Sequence, residues 1–166
     1  LSVNLSAREF RDPGLLGRLR SAADAAHGRL EVEVTESMVM HNNTLAQDLL
    51  GQIRALQVGV ALDDFGTGFS SLAYLKTFPL DVLKIDQSFV RNLETDLQDR
   101  AIVKTVIDLA DNLGLRTVAE GVETEAQASV LRRLGVHELQ GYLFAKPMPA
   151  SAFAAWLEQH GTDAGG

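Results

Sequence analysis

The sequence predicts an α/β fold in which a parallel sheet is covered by helices. Short apolar runs, many of them β-branched, alternate along 166 residues with amphipathic stretches at helical spacing. The apolar runs are mostly continuous, which is typical of strands covered on both faces. Both an open doubly wound sheet and a closed barrel fit this alternation. No G-x-G-x-x-G segment follows the first run, so a dinucleotide-binding sheet has little support.

The apolar runs predict six strands in chain order. They lie at Ser2–Leu5, Leu30–Val34, Val58–Leu62, Val82–Ile85, Leu115–Ala119 and, more weakly, Val136–Leu139. One domain is expected for this length, because domains average about 150 residues. We place it at residues 1–160 and expect residues 161–166 to form a disordered tail.

Terminal signals support the helices between these strands. Asp12 and Pro13 predict the N-cap and first residue of the first helix. Thr124 and Gln127 have the spacing of a capping box before a later helix. Ser151 is predicted to cap the last helix.

Composition excludes several classes of function. The sequence contains no cysteine, which rules out disulfides, thiolate metal sites and a cysteine nucleophile and fits a reducing, cytoplasmic compartment. The net charge of −7 argues against binding to duplex DNA or RNA. No apolar run approaches the ~20 residues of a membrane span, so any membrane tether is expected to come from other domains.

Polar residues fall at the carboxyl end of every predicted strand. In chain order they are Asn4, Glu33, Glu36, Asp63, Asp64, Lys84, Asp86, Glu120, Glu123 and Gln140. The strands of a parallel barrel all end on one face, so these side chains are expected to converge. Capping of the next helix is the commoner explanation for Asn4 or Gln140 taken alone. It is weaker for Asp63 and Asp64, because adjacent carboxylates repel unless a cation or donors compensate.

This set of donors suits hard metal ions. Carboxylate and amide oxygens favour Mg²⁺ or Mn²⁺, and one carboxylate of an adjacent pair can bridge two ions about 3.5–4 Å apart. Lys84, within an apolar strand, supplies a positive charge for a phosphate oxygen or an attacking hydroxide. The four histidines lie away from the strand ends and are interpreted as surface or capping residues: His27, His41, His137 and His160.

Gly66, Thr67 and Gly68 directly follow the paired aspartates. The glycines predict a flexible loop that orders over a ligand, with a tight turn into the next helix as the alternative.

Six segments together closely resemble the successive motifs of the EAL domain. They are Val3–Ser6, Glu33–Ser37, Asp63–Leu72, Leu83–Asp86, Ala119–Thr124 and Gln140–Phe144. The resemblance covers residues 1 to about 158. It implies a modified (β/α)8 barrel and a bacterial phosphodiesterase that opens cyclic di-GMP to linear pGpG with Mg²⁺ or Mn²⁺.

The resemblance also implies roles for the central residues. Asn4, Glu33 and Asp63 resemble the ligands of a first metal, with Asp63 as the bridge to a second metal bound by Asp64. Glu120 resembles the acid that binds this second metal or acts as base on the water. Lys84 resembles the lysine that positions that water.

The remaining motif residues resemble supporting groups. Gln140 and Asp86 look like active-site residues, and Glu123 like a carboxylate behind them. Glu36 resembles the glutamate that anchors the loop of residues 64–71, which in this family couples dimerisation to activity. Phe69 stands where the family usually has tyrosine.

One departure from the family is larger. The Glu-Ala-Leu motif is absent, and six strands in 166 residues are fewer than a barrel of about 250 residues requires. The barrel is therefore expected to be incomplete at its N-terminal side: a fragment, a truncated form, or a chain completed by a partner. The resemblance further implies a homodimer and fusion to GGDEF or sensory domains.

Two other functions remain open from the sequence. A receptor that binds cyclic di-GMP without hydrolysing it needs no full set of metal ligands, so the ligands present favour the enzyme, whereas the missing glutamate favours the receptor or an inactive fragment. An unrelated barrel enzyme is disfavoured by the ordered motifs.

Overall fold

The computed structural model describes residues 1–27, 29–40, 43–66 and 75–160, with the backbone alone for Asn43 and His160. Within these residues six parallel strands form one curled sheet, and their spatial order follows the chain order. The strands are β1 (Ser2–Asn4), β2 (Glu31–Thr35), β3 (Gly59–Phe65), β4 (Val82–Ile85), β5 (Arg116–Ala119) and β6 (Glu138–Leu139). The predicted α/β fold, an incomplete barrel with six strands, is confirmed.

Helices connect the strands on the outer side of the sheet. After a short 3-10 helix at Glu9–Arg11 they are α1 (Leu15–Ala25), α2 (Glu36–Met40), α3 (Asn43–Ala55), α4 (Gln87–Arg91), α5 (Leu97–Leu113), α6 (Glu125–Leu134) and α7 (Ala150–His160). None of the helices in the described part of the chain is both long and apolar enough to cross a bilayer.

Two of the predicted caps are wrong. Helix α1 begins at Leu15 with Gly14 as its N-cap, because the Asp12 carboxylate closes a local turn by accepting a hydrogen bond from the Gly14 N–H at 2.7 Å. Helix α7 begins at Ala150, so Ser151 lies inside the helix rather than at its cap.

The capping box of α6 is confirmed. The Thr124 hydroxyl accepts a hydrogen bond from the Gln127 N–H at 3.1 Å, and the Gln127 side chain accepts one from the Thr124 N–H at 3.0 Å. Gly135 ends the helix with φ of 94°, a left-handed conformation that glycine adopts without steric cost.

The two faces of the sheet differ in character. Val32, Val34, Leu83 and Ile85 point outward into the main core, where the helices cover them. The core residues of α3 show the helical spacing directly, because Ala46, Leu50 and Ile53 are all buried.

The concave face is lined by small and charged residues. Ala61, Val82 and Val118 form a small apolar cluster of their own, separate from the main core. Glu33 and Lys84 lie on the same side, toward the carboxyl ends of the strands. The strands therefore alternate between large apolar and polar positions more strongly than their apolar appearance in the sequence indicates.

Candidate active site

A buried lysine lies at the centre of the carboxyl edge of the sheet. Lys84, on β4, has a side chain that is only 5% exposed. Its Nζ lies 2.6 Å from Glu33 Oε2 and 2.5 Å from Glu120 Oε1. Asp63 Oδ1 is 3.3 Å from the same nitrogen. Neighbouring strands β2, β3 and β4, and the residue after β5, thus meet at one ammonium group, as the convergence of strand ends predicts.

An irregularity in β3 brings a second aspartate to the same place. In a regular strand adjacent side chains point to opposite faces, so Asp63 and Asp64 would diverge. The pairing of β3 with β4 shifts register between Leu62 and Phe65, and Asp64 has φ of 56°. One carboxylate oxygen each from Asp63, Asp64 and Glu120 consequently lie within 4.8 Å of one another.

Negative charge exceeds positive charge in this cluster. Glu33, Asp63, Asp64 and Glu120 surround the single ammonium of Lys84. Burial raises the pKa of Asp64, and the neighbouring Asp63 and Asp86 raise it further. Burial likewise raises the pKa of Glu120, although Lys84 opposes this.

Lys84 itself stays protonated at neutral pH. Burial lowers its pKa, but hydrogen bonds to Glu120 and Glu33 outweigh this effect and hold the pKa above its usual value. The site therefore contains a fixed cation whose single positive charge compensates only part of the negative charge of its carboxylates.

The donor set fits a hard divalent cation. Asp63 Oδ1 is buried and makes no hydrogen bond within the described residues, because its contact with Lys84 lacks hydrogen-bonding geometry. A buried carboxylate oxygen without a donor is costly unless a cation compensates it. Oxygen ligands alone favour Mg²⁺, Mn²⁺ or Ca²⁺ over softer metals.

Asn4 and Gln140 flank this cluster at the same edge of the sheet. Asn4 ends β1, is paired in register with Glu33, and is exposed. Gln140 follows β6, where its N–H donates to the Ala119 carbonyl at 2.8 Å. Its exposed side chain shares with Glu120 and Glu123 the lining of a cavity of about 270 Å³. Asn4 therefore neighbours Glu33, and Gln140 neighbours Glu120 and Glu123, at this edge of the sheet.

Asp86 combines a structural and an electrostatic role. Its carboxylate accepts a hydrogen bond from the Ser88 N–H at 2.9 Å, so it is the N-cap of α4, and its negative charge helps to raise the pKa of Asp64. Glu36 is buried at the start of α2, next to the end of β2.

The loop after Asp64 begins at a position that requires glycine. Gly66 has φ of 97°, and a Cβ there would lie 3.0 Å from Cε2 of the Phe89 ring. Thr67 and Gly68 lie outside the described residues, as do Phe69, His41 and the tail of residues 161–166. The loop prediction therefore stays a prediction.

The histidines that the structure describes lie away from the acidic cluster. His27 is exposed at the end of α1, and His137 Nδ1 accepts a hydrogen bond from the Thr117 N–H at 3.1 Å, before β6. Their interpretation as surface or capping residues agrees with these positions.

Two features were not found from the sequence. The Ser2 hydroxyl donates a 2.6 Å hydrogen bond to Glu33 Oε1; its position two residues before Asn4, on the same face of β1, was the only available signal. At the amino ends of the strands, Arg116 pairs with Glu138 and lies 3.4 Å from Glu31 Oε2. This second charged group involves β2, β5 and β6.

Comparison with known proteins identifies the family. The EAL domain model matches residues 1–147. The curated relative MucR of Pseudomonas aeruginosa, named a bifunctional diguanylate cyclase/cyclic di-GMP phosphodiesterase, is 46% identical over 93% of this chain and 23% of its own length. The cyclic di-GMP phosphodiesterase PdeR of Escherichia coli is 39% identical over 96% of this chain and 25% of its own length.

Solved structures agree with this assignment. The c-di-GMP complex of the PaMucR phosphodiesterase has a TM-score of 0.85 and 46% identity, over 92% of this chain and 63% of that one. The EAL domain of Mycobacterium smegmatis DcpA has a TM-score of 0.88 and 38% identity, over 96% and 73%. A manganese/cy-diGMP complex of Klebsiella pneumoniae BlrP1 has a TM-score of 0.81 and 33% identity, over 89% and 38%.

The matches extend over nearly the whole chain, although the chain spans only about a quarter of the length of these curated relatives. Six parallel strands, an acidic cluster at their carboxyl ends and the matched family model point the same way. The chain belongs to the EAL domain family.

Proposed function

We propose that this chain carries the active site of a metal-dependent phosphodiesterase that hydrolyses cyclic di-GMP to linear pGpG. The observation that carries the proposal is the excess of carboxylates around buried Lys84, together with a buried oxygen of Asp63 that accepts no hydrogen bond from the described residues. Relatives whose names include cyclic di-GMP phosphodiesterase are 46% and 39% identical to this chain, and a related structure is a complex of manganese and cy-diGMP.

The residues that would hold Mg²⁺ or Mn²⁺ are the carboxylates of the cluster and their neighbours on β1 and β2. Asp63, Asp64 and Glu120 offer three oxygens close enough to one another to hold one ion, and Asp63 would also contribute to a second ion. Glu33 and Asn4 would complete the set from β2 and β1. One or two bound cations would lower the pKa of a water molecule and offset negative charge on the phosphate.

Glu120 is suited to take a proton from the attacking water. Its pKa is raised by burial, which makes it a stronger base than an exposed glutamate. The water oxygen then forms a bond to phosphorus in line with the 3′ oxygen, the P–O3′ bond breaks, and the 3′ oxygen leaves and takes up a proton from solvent, to which Glu120 later returns its own.

Lys84 is suited to orient the reacting groups. Its ammonium is held by Glu33 and Glu120 and stays charged at neutral pH, so it provides a fixed donor for the water or a phosphate oxygen. Because the group is already in position, little reorganisation is needed during the reaction.

The remaining predicted residues would support substrate and loop. Gln140 and Glu123 line the cavity beside Glu120, and the charge of Asp86 raises the pKa of Asp64. Glu36 and the loop of Gly66, Thr67 and Gly68 would couple a homodimer interface to the site. Fusion to GGDEF or sensory domains and a cytoplasmic location complete the proposal.

The direct test is hydrolysis by the protein expressed from its complete reading frame. Cyclic di-GMP is incubated with the purified protein and Mn²⁺, and pGpG is measured by chromatography. The wild type is expected to form pGpG, and Glu33→Ala to form almost none. Glu125→Ala, an exposed glutamate in the first turn of α6, is the matched control and is expected to behave like the wild type.

Each other result has a defined meaning. If the folded wild-type protein binds Mn²⁺ but forms no pGpG, the proposed phosphodiesterase activity is contradicted. If that protein still binds cyclic di-GMP, the receptor is the correct function.

A further inference from the structure

Both oxygens of the Glu33 carboxylate have a dedicated donor. Lys84 Nζ lies 2.6 Å from Oε2, and the Ser2 hydroxyl lies 2.6 Å from Oε1. Ser2 comes from β1, whereas Lys84 comes from β4, so the two donors approach Glu33 from opposite sides of β2. The lysine belongs to the acidic cluster, but the serine does not.

The Ser2 hydroxyl restricts rotation of the Glu33 carboxylate about its terminal torsion, which the contact with Lys84 alone does not fix. The terminal torsion of a glutamate is broad, so one donor on one oxygen does not fix the plane of the carboxylate. A second donor on the other oxygen does, and a hydroxyl bonded to an ionised carboxylate is a short, strong donor. An ionised carboxylate only accepts, so Ser2 must donate.

We propose that Ser2 is a positioning residue that orients the Glu33 carboxylate for a divalent cation. The inference rests on the proposed function only in that the acidic cluster binds such a cation. Ser2 touches neither the cluster's other carboxylates nor Lys84 in the contacts described, so it acts through Glu33. Groups that orient metal ligands typically change metal affinity or activity about 10–100-fold when they are removed.

Threonine and valine separate the hydroxyl from the shape of the side chain. Ser2→Thr keeps the donor, and Ser2→Val has nearly the same shape as threonine without it. Both residues are favoured in strands, so β1 is expected to form in each variant. Ser2→Ala removes the hydroxyl without adding bulk and serves as a second variant without the donor. Ser21→Ala is the matched control, because Ser21 is exposed on α1 and its hydroxyl donates to the Gly17 carbonyl of the same helix, at 3.2 Å.

The test is a Mn²⁺ titration of the complete protein, followed by electron paramagnetic resonance of the free ion. Ser2→Val and Ser2→Ala are expected to bind Mn²⁺ about 10-fold more weakly than the wild type. Ser2→Thr and Ser21→Ala are expected to match the wild type. Hydrolysis of cyclic di-GMP by Ser2→Val and Ser2→Ala is expected to recover at saturating Mn²⁺, because these substitutions lower only the occupancy of the site by Mn²⁺.

Unchanged Mn²⁺ affinity in Ser2→Val and Ser2→Ala would overturn the proposal. So would a loss in Ser2→Thr as large as that in Ser2→Val, because shape rather than the hydroxyl would then be responsible. If the variants differ in Mn²⁺ affinity while no protein hydrolyses cyclic di-GMP, the proposed function fails and the role of Ser2 stands. If no protein binds Mn²⁺, both fail.

Discussion

The concave face carries a cation among carboxylates at each end of its strands. At the carboxyl end, Lys84 is 5% exposed and its three partner carboxylates are 9–19% exposed. At the amino end, Arg116 is 50% exposed, between Glu138 at 52% and Glu31 at 23%. The same kinds of side chain therefore form two charged groups on one surface.

Burial and charge balance separate these two groups. Solvent screens the pairs of Arg116, so such pairs contribute only about 0–1 kcal/mol each. At the other end little solvent reaches Lys84 and its three partners, and the exposed Asp64 adds a further negative charge beside Asp63 and Glu120. The amino end links strands that are distant in sequence, whereas the carboxyl end concentrates uncompensated charge that a cation can use.

Neutralising one glutamate at each end gives the largest predicted difference in activity. Glu120→Gln keeps the shape of the side chain but cannot take a proton, so kcat for cyclic di-GMP hydrolysis is expected to fall roughly 10²–10⁴-fold. Glu138→Gln is expected to leave kcat unchanged. Steady-state kinetics with saturating Mn²⁺ measure both. Equal losses would show that the two ends do not differ in function.

Removing the cation at each end compares their contributions to stability. Lys84→Met leaves buried carboxylates without a partner, and the free energy of unfolding is expected to drop by about 3–5 kcal/mol. Arg116→Met is expected to cost about 0–1 kcal/mol, because Arg116 and Glu138 are half-exposed and solvent screens their pair. Denaturant unfolding in EDTA gives both values. A larger loss of unfolding free energy in Arg116→Met than in Lys84→Met would contradict the conclusion that the carboxyl end is the buried one.

The raised pKa of Asp64 predicts a smaller, pH-dependent effect. A carboxyl whose pKa is higher in the folded than in the unfolded protein loses stability as pH rises through the folded value. Asp64→Asn is therefore expected to raise the melting temperature in EDTA at pH 7. Asparagine also tolerates the left-handed backbone at this position.

The gain in melting temperature of Asp64→Asn should disappear near pH 3, which lies below the usual pKa of aspartate. The Asp64 carboxyl of the wild type is then protonated and uncharged, as the asparagine side chain is at every pH. Scanning calorimetry across pH measures the difference. A gain that is constant with pH would assign it to the backbone rather than to the charge. No change at pH 7 would contradict strain between Asp64 and its acidic neighbours.

The strands were predictable from sequence because their outward residues are large and apolar. Val32, Val34, Leu83 and Ile85 identify β2 and β4 without further information. The convergence of Glu33, Asp63, Lys84 and Glu120 followed from the parallel order alone, since strand ends of such a sheet share one edge.

The details that failed depend on local geometry. A period-two strand pattern cannot show that β3 is irregular, and this irregularity is what brings Asp64 to Asp63. Asp12 is a residue type that is favoured at helix N-caps, but it closes a turn two residues before the actual N-cap of α1, Gly14. Capping and turn formation use the same side-chain acceptor, so residue type does not separate them.

Long-range polar contacts could not be predicted from the sequence either. Ser2 meets Glu33 31 residues later, and Arg116 lies near Glu31 at a separation of 85 residues. Such pairs depend on the curvature of the sheet, which the hydrophobic pattern does not determine. The sequence therefore predicted the edge at which the site forms but not how its side chains are oriented.

Calorimetric titration of Mn²⁺ into the metal-free complete protein tests the contrast between the two ends most directly. We expect the wild type and Glu138→Gln to bind Mn²⁺ with the same affinity. Asp63→Asn is expected to bind at least about 10-fold more weakly, since it removes a carboxylate that would be a ligand itself. Retained affinity in Asp63→Asn, or a comparable loss in Glu138→Gln, would contradict a cation site at the carboxyl end of the strands.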